Sequence, residues 1–143
     1  MTLRFLLDTN IVSEPLAAIP HAGVLAKLKR HQDEIALSAP VWHELIFGCR
    51  RLPDSPKRRA IAQYLEEVLA VSLPLLPYDR EAATWHGQQR ARLERLGQPT
   101  PFVDGQIAAI AAINHLTLIT RNVADFKHFD GLEIENWFLA RDR

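Results

Sequence analysis

The chain has 143 residues, of which 48% are hydrophobic and 24% are charged, a size and composition typical of one globular domain. Its 17 basic and 17 acidic residues cancel, which argues against a protein that coats nucleic acid through bulk positive charge. The only cysteine, Cys49, excludes an internal disulfide. No apolar run approaches the roughly 20 residues of a membrane helix, and residues 1–7 are too short for a signal-peptide core.

The first part of the chain alternates short apolar runs with amphipathic segments. Leu3 to Leu7 is an apolar run that ends at Asp8, a pattern that predicts a buried strand followed by a turn. A short helix is predicted over 11–16. Helical spacing of apolar residues predicts a longer helix over 22–31, and a second strand is predicted over 35–37.

The next predicted helix contains an acidic residue beside an apolar ridge. Ser38 is a good N-cap and Pro40 suits the first turn. Glu44 lies inside this helix. The apolar ridge, at i, i+4 spacing, consists of Val41, Leu45 and Cys49.

The second half continues the alternation of helices and strands. After the turn at 53–56, a helix is predicted over 57–71 and a strand over 73–78, which Pro74 and Pro77 restrict to a sheet edge. Asp79 is predicted to cap a helix that ends at Leu96, before Gly97. The remaining predictions are a helix over 102–115, a strand over 116–120 and a possible fifth strand over 132–134.

This alternation predicts an α/β fold: a three-layer α/β/α sandwich around a central, mostly parallel sheet of four to five short strands. We expect it to form one domain, residues 1–143, in the cytoplasm. Ligands of such sheets bind beyond the carboxyl ends of the strands. Asp8 follows the first strand directly, and Arg121 and Asn122 follow the fourth.

Four acidic residues are candidates for a catalytic site: Asp8, Glu44, Asp104 and Asp125. Taken singly, Asp8 could satisfy a turn, Asp104 could complement a helix N-terminus, and Glu44 could face solvent. Gathered together, carboxylates repel one another unless a hard divalent cation such as Mg²⁺ neutralises them. Sequence spacing alone does not prove that they converge.

Other chemistries lack their sequence signals. The six histidines show no i, i+4 pairing of a helical zinc site. No glycine-rich phosphate loop suggests an NTPase. A phosphatase of the haloacid-dehalogenase type would have a second Asp two residues after Asp8, where Asn10 stands.

Four segments in order resemble the motifs of PIN-domain nucleases, specifically the VapC-type toxins of toxin–antitoxin pairs. They are residues 6–10 (LLDTN), 38–45 (SAPVWHEL, followed by Gly48), 104–109 (DGQIAA) and 120–126 (TRNVADF). The Asn136-Trp137 ending resembles one subgroup, the FitB-like proteins. Each motif is weak alone, but the ordered set covers nearly the whole chain.

The resemblance implies a PIN fold, a Mg²⁺ or Mn²⁺ cofactor and cleavage of RNA. Asp8, Glu44 and Asp104 match the three central acids, with Asp8 and Asp104 holding the metal and Glu44 orienting water or helping to bind a second ion. Thr9 matches a supporting hydroxyl, and Asn10 is a further supporting residue. Hydrolysis by metal-activated water would leave a 5′-phosphate and a 3′-hydroxyl; because the RNA 2′-hydroxyl takes no part, the preference for RNA comes from the resemblance.

The fourth motif offers two polar residues. Asn122 is expected to position the loop as the N-cap of a short helical turn, its side-chain oxygen accepting from backbone N–H groups. Asp125, three residues later, is expected to add negative charge at the edge of the site. Whether Asn122 or Asp125 is the fourth site residue stays open at this point.

Two groups of cations could hold the RNA backbone. The first flanks the proline-containing turn and comprises Arg50, Arg51, Lys57, Arg58 and Arg59; the second comprises Arg90, Arg92 and Arg95. The first is favoured because it is joined to the Glu44 helix. The alternative interpretation is an ordinary solvated helix face.

The resemblance also implies partners: a small VapB-like antitoxin and a second copy of the chain. An apolar stripe that includes Leu65, Val68 and Leu69 is expected to offer surface for the homodimer. Two alternatives stay open, a PIN nuclease of RNA processing that is not a toxin, and a non-catalytic RNA-binding module on the same fold.

Overall fold

A five-stranded parallel sheet forms the centre of the computed structural model, which describes residues 2–139. The strands are β1 (Phe5–Leu7), β2 (Ile35–Ser38), β3 (Leu75–Leu76), β4 (Thr117–Ile119) and β5 (Ile134–Glu135). Their order is β3-β2-β1-β4-β5, and every neighbouring pair is parallel. The predicted α/β class and strand number are confirmed. The ends of the predicted domain, residues 1 and 140–143, lie outside the described residues.

Every residue of β1 and β2 is buried, because helices cover both faces of the parallel sheet. The helices are α1 (Thr9–Val12), α2 (Ala22–Arg30), α3 (Ala39–Arg50), α4 (Pro56–Gln63), α5 (Ala70–Ser72), α6 (Arg80–Arg95), α7 (Phe102–Ile113) and α8 (Val123–Phe126). Within residues 2–139, none of them combines the length and apolar character that crossing a membrane requires.

Two predicted helix caps are present. The Ser38 hydroxyl accepts a hydrogen bond from the Val41 N–H at 3.3 Å, which begins α3. The Asp79 carboxylate accepts from the Ala82 N–H at 3.0 Å, which begins α6. These bonds satisfy donors that have no partner within the first helical turn.

Some predicted boundaries are wrong for local reasons. The helix predicted over 11–16 is instead α1 followed by a 3₁₀ turn, Glu14–Leu16. α1 begins earlier because Asp8, not a later residue, is its N-cap. β3 is reduced to two residues between Pro74 and Pro77, and it lies at the sheet edge as predicted. β5 begins at Ile134 rather than at 132.

The segment between α4 and α5 corrects a prediction about surface. Residues Tyr64–Leu69 form a π-helical segment in which Leu65 and Leu69 are buried, only 1% and 4% exposed. The Tyr64 hydroxyl donates to the Val12 carbonyl at 2.8 Å, which fixes this segment over α1. Leu65 and Leu69 therefore belong to the core and are not available to a second copy; of the three expected interface residues only Val68 is exposed.

The sheet topology defines where a ligand would bind. From β1 the chain moves outward through β2 to β3 and then returns to place β4 on the other side of β1. The carboxyl ends of β1 and β4, paired through Leu7 and Ile119, therefore flank the point where the strand order reverses. Open parallel sheets bind ligands in the crevice at this point.

Candidate active site

Asp8 directly follows the carboxyl end of β1, at the point where the strand order reverses, and is 7% exposed. Its Oδ1 accepts from the Thr9 backbone N–H at 2.8 Å, and its Oδ2 accepts from the Thr120 hydroxyl at 2.8 Å. The Asn10 amide donates to the same Oδ2 at 3.4 Å. Burial raises the pKa of Asp8 above its usual value, and these hydrogen bonds oppose that rise by favouring the carboxylate.

Glu44 approaches the same crevice from α3. Its Oε1 accepts a hydrogen bond from the Thr9 hydroxyl at 3.1 Å. Thr9 therefore holds two carboxylates: its backbone N–H binds Asp8 and its side-chain hydroxyl binds Glu44. Burial raises the pKa of Glu44, and the charge of Asp8 raises it further.

Asp104 lies in the first turn of α7. Because α7 leads directly into β4 and runs against it, its first turn is at the sheet edge where β1 and β4 end. Burial raises the pKa of Asp104 to about 6, with smaller increases from the charges of Asp8, Asp125 and Glu44. No hydrogen bond from the described residues offsets this rise.

Asp125 is exposed in α8, and its charge raises the pKa of both Asp8 and Asp104. It therefore faces the crevice from its rim. Asn122 occupies the N-cap position of α8 but makes no side-chain capping bond, so the capping role expected of its side chain is wrong. The reason is that its own N–H donates to the Thr120 hydroxyl at 3.0 Å, which holds its backbone at ψ 58°, outside the extended region usual for an N-cap.

Among the described residues, the four carboxylates have no lysine or arginine partner, although the charge of His43 opposes part of the burial-driven rise in the pKa of Glu44. Within residues 2–139, no lysine or arginine forms an ion pair with Asp8, Glu44, Asp104 or Asp125. Over the same residues, no group of three or more acidic, histidine or cysteine side chains is arranged closely enough to hold a metal ion. The carboxylates are thus close enough to raise one another's pKa but are spaced apart, the arrangement that mutual repulsion favours.

Thr120 begins the fourth sequence motif, but the sequence analysis did not include it among the site residues. It is fully buried, and its hydroxyl both donates to Asp8 and accepts from Asn122. Asn10 joins the same two loops, since its Oδ1 accepts from the Arg121 N–H at 3.0 Å. The sequence did contain one indication of this role, because Thr120 lies at the end of a predicted strand and Asp8 directly follows another. In the structure Thr120 directly follows β4, which pairs with β1 beside Asp8.

The predicted RNA-binding cations are largely exposed, and within residues 2–139 none of them forms an ion pair with the four carboxylates. Arg50 pairs with Glu66 at 3.6 Å and Arg59 with Asp54 at 2.8 Å, both between exposed side chains. Such pairs contribute little to stability and open readily. In the second group, Arg92 donates to the His128 carbonyl at 2.7 Å and lies 3.1 Å from the Asp130 carboxylate, so it connects α6 to the loop before β5.

Comparison with known families agrees with this geometry. The pattern of the PIN domain matches residues 5–132, a span that contains all four carboxylates. This chain belongs to the PIN-domain family. Its relatives include the tRNA(fMet)-specific endonuclease VapC of Shigella flexneri, 33% identical over 94% of this chain and 98% of that protein. Toxin FitB of Neisseria gonorrhoeae is 33% identical over 92% of this chain and 97% of the toxin.

Solved structures of related PIN domains share the fold over nearly the whole chain. The crystal structure of FitAcB from Neisseria gonorrhoeae superimposes with a TM-score of 0.87 at 31% identity, covering 94% of this chain and 98% of that one. DNA-bound VapBC from Salmonella typhimurium gives a TM-score of 0.83 at 30% identity, with the same coverage. The PIN-like α/β/α fold expected from the motifs is confirmed.

Proposed function

We propose that this PIN domain is a metal-dependent endoribonuclease and the toxin of a toxin–antitoxin pair. The observation that carries the proposal is the convergence of Asp8, Glu44, Asp104 and Asp125 on one crevice, where burial and mutual repulsion raise the pKa of Asp104 to about 6. A fold does not need such a cluster for stability, and uncompensated carboxylates oppose folding. The names of the relatives, which include endonuclease VapC and toxin FitB, support nuclease chemistry at this site.

The donor set suits a hard divalent cation, Mg²⁺ or Mn²⁺. All four side chains offer carboxylate oxygens, the ligands that these ions prefer. Asp104 has no hydrogen-bond donor among the described residues, so its oxygens remain available as ligands, and Asp8 keeps lone pairs beyond its three hydrogen bonds. We assign the ion chiefly to Asp8 and Asp104. When bound, it would neutralise the carboxylates, lower the pKa of water and polarise the scissile phosphate.

Side chains of the protein carry out the other steps of the proposed hydrolysis. Glu44, oriented by the Thr9 hydroxyl, positions the attacking water and accepts its proton. The water oxygen bonds to phosphorus as the bond to the 3′ oxygen breaks, leaving a 5′-phosphate and, after protonation from solvent, a 3′-hydroxyl. Asp125 adds negative charge from the rim, while Asn10 and Asn122 fix the two loops through their backbone and side-chain bonds.

The test is cleavage of end-labelled RNA by the purified, partner-free protein. We expect cleavage with Mg²⁺ or Mn²⁺ and none in excess EDTA. Asp8→Asn, Glu44→Gln and Asp104→Asn should each lower turnover by at least about 100-fold, the scale of effect of general acid–base and charge-stabilising groups. Asp125→Asn should lower turnover less, because Asp125 is exposed. Asp33→Asn, an exposed acid before β2, is the matched control. Full activity in EDTA or in Asp8→Asn contradicts the mechanism.

We also propose a small VapB-like antitoxin and a homodimer as partners. Support for the antitoxin comes from the solved relatives, which are described as VapBC and FitAB complexes; the homodimer is what the motif resemblance implies. Co-expression with the product of the adjacent gene should yield a complex in which RNA cleavage is suppressed. Light scattering of the free protein should give the mass of a dimer. A monomer at micromolar concentration refutes the homodimer, and an adjacent gene product that neither binds nor inhibits contradicts the toxin assignment.

The substrate is proposed to contact the first group of cations through its backbone. Two of these cations lie at the end of α3, the helix that carries Glu44, and three lie in α4: Arg50 and Arg51, then Lys57, Arg58 and Arg59. The net charge of the chain is zero, so local cations of this kind, rather than bulk charge, must supply the attraction for phosphate.

A further inference from the structure

Phe47 is a large apolar side chain that α3 leaves 58% exposed beside the carboxylates. It lines a groove of about 700 Å³ that also contains Thr9 and Glu44. A single exposed ring on a protein surface is ordinary, but this ring shares a groove with two residues of the candidate active site. Phe47 is therefore placed to contact a molecule that binds in that groove.

The helix spacing aligns the ring with an acid and a cation. Glu44, Phe47 and Arg51 are separated by three and four residues, so they lie along one face of α3. The Arg51 guanidinium lies 5.5 Å from the centre of the Phe47 ring. Arg51 also lines the groove, and its guanidinium lies over one face of the Phe47 ring.

The opposite wall of the groove is formed by the residues after α1. Leu16 and Ala17 provide apolar surface there, and Leu16 is 37% exposed. The groove thus combines an aromatic ring and aliphatic atoms with the ionisable side chains of Glu14, His43, Glu44 and Arg51. This combination suits a planar, apolar-faced group attached to a negatively charged chain, which is the chemistry of a nucleotide in single-stranded RNA.

We propose that Phe47 is a stacking platform for an unpaired RNA base next to the scissile phosphate, with Arg51 contacting the adjoining backbone phosphate. This inference rests on the proposed ribonuclease function and adds to it a binding residue and a class of substrate, single-stranded RNA. Stacking on an aromatic ring tolerates any base, because every base has a π face. Phe47 therefore contributes affinity and position, and it selects unpaired over paired nucleotides.

The test measures binding of a short oligouridylate and of the same oligomer made with abasic residues, in EDTA so that neither is cleaved. Four full-length proteins are compared: wild type, Phe47→Ala, Phe47→Tyr and Val71→Ala. Val71 is an exposed apolar residue of α5. Because α5 comes shortly before β3 in the chain, it lies near the amino end of that strand, whereas the candidate site lies beyond the carboxyl ends. Thermal unfolding of each protein verifies that it is folded.

We expect Phe47→Ala to bind oligouridylate about tenfold more weakly, the scale of one lost stacking contact, and to bind the abasic oligomer as wild type does. Phe47→Tyr and Val71→Ala should match wild type on both. Unchanged oligouridylate binding by Phe47→Ala, or equal weakening on both oligomers, overturns the proposal. It is also overturned if Phe47→Ala loses only its antitoxin, since the groove then serves a protein. A wild-type protein that binds and cleaves no RNA overturns the proposed function as well.

Discussion

The carboxylate of Asp8 has a structural and a chemical role at once. It caps α1 through the Thr9 N–H, and it lies among the other carboxylates of the crevice. The sequence predicted its position, since an apolar strand ends directly at Asp8. It did not predict the buried Thr120 hydroxyl that holds Asp8, because that contact joins residues 112 positions apart and depends on the pairing of β1 with β4.

Thr120→Val should weaken both stability and activity. The change removes a donor to Asp8 and an acceptor for the Asn122 N–H in a fully buried place, and unsatisfied buried polar groups cost roughly 1–3 kcal/mol each. We expect the free energy of unfolding to fall by about 2 kcal/mol, measured by urea denaturation, with slower RNA cleavage. Thr120→Ser keeps the hydroxyl and should retain activity; equal loss in both variants would show that the methyl group, not the hydroxyl, matters.

The stability of the metal-free protein should depend on the ionisation of Asp104. Its pKa is about 6 in the folded protein against 3.8 for the ordinary side chain. The folded state therefore retains a proton that the unfolded state has released, and stability is lost as pH rises from about 4 through 6. Asp104→Asn has no such proton to lose, so at pH 7 in EDTA it should be more stable than wild type.

Urea denaturation in EDTA across this pH range measures the difference between wild type and Asp104→Asn. The other carboxylates titrate in both proteins, so the difference reports the ionisation of Asp104 together with its interaction with those neighbours. A difference that is constant from pH 4 to 7 would contradict the assignment of the raised pKa. In the reverse experiment at pH 7, Mn²⁺ should stabilise the wild type by mass action and Asp104→Asn much less.

At the scale of elements, the sequence predicted what is determined locally. The caps of α3 and α6 and the edge position of β3 follow from side chains next to them in the chain, Ser38, Asp79 and the two prolines around β3. The π-helical segment Tyr64–Leu69 was not predicted, since its sequence continues a helical pattern and its fixing bond goes to distant Val12. The burial of Leu65 and Leu69 depends on the same tertiary contact.

The packing of α6 on α7 requires glycine at position 105. A Cβ added there would lie 2.1 Å from Nε2 of His86, a buried ring whose Nδ1 hydrogen-bonds the Tyr78 hydroxyl at 2.8 Å. Gly105→Ala should therefore lower the free energy of unfolding by about 1–3 kcal/mol, the usual cost of overpacking. Because Asp104 is the preceding residue, RNA cleavage should fall as well.

Gly87→Ala is the matched control for Gly105→Ala. Gly87 lies within α6 next to His86, and a Cβ there would meet nothing within 4 Å. Since alanine is the better helix former, this change should raise the free energy of unfolding by about 0.5–1 kcal/mol. Equal effects of the two substitutions in urea denaturation would contradict the steric role of Gly105.

At the scale of the whole molecule, alternating strands and helices predicted the parallel sheet, but not which strands are neighbours. Convergence of the carboxylates depends on that order: β1 lies between β2 and β4, so loops after β1 and β4 meet the first turn of α7. Distances in sequence contain no such information. The motifs resembled those of a family with a known fold, and that fold includes the strand order. The resemblance could therefore predict that the acids converge, which their spacing in the sequence could not.

The neutral charge of the whole chain predicts a shallow salt dependence of RNA binding. Each cation that contacts a phosphate of single-stranded RNA adds about 0.7 to the steepness of log affinity against log salt concentration. Five proposed contacts set an upper limit of about 3.5, and Arg51→Gln should lower the measured slope by about 0.7. Arg30 lies in the last turn of α2, before the amino end of β2 and away from the carboxyl ends where the candidate site lies. Arg30→Gln should therefore leave the slope unchanged. Equal reductions by both variants would show that diffuse charge, and not a local phosphate contact beside α3, attracts the RNA.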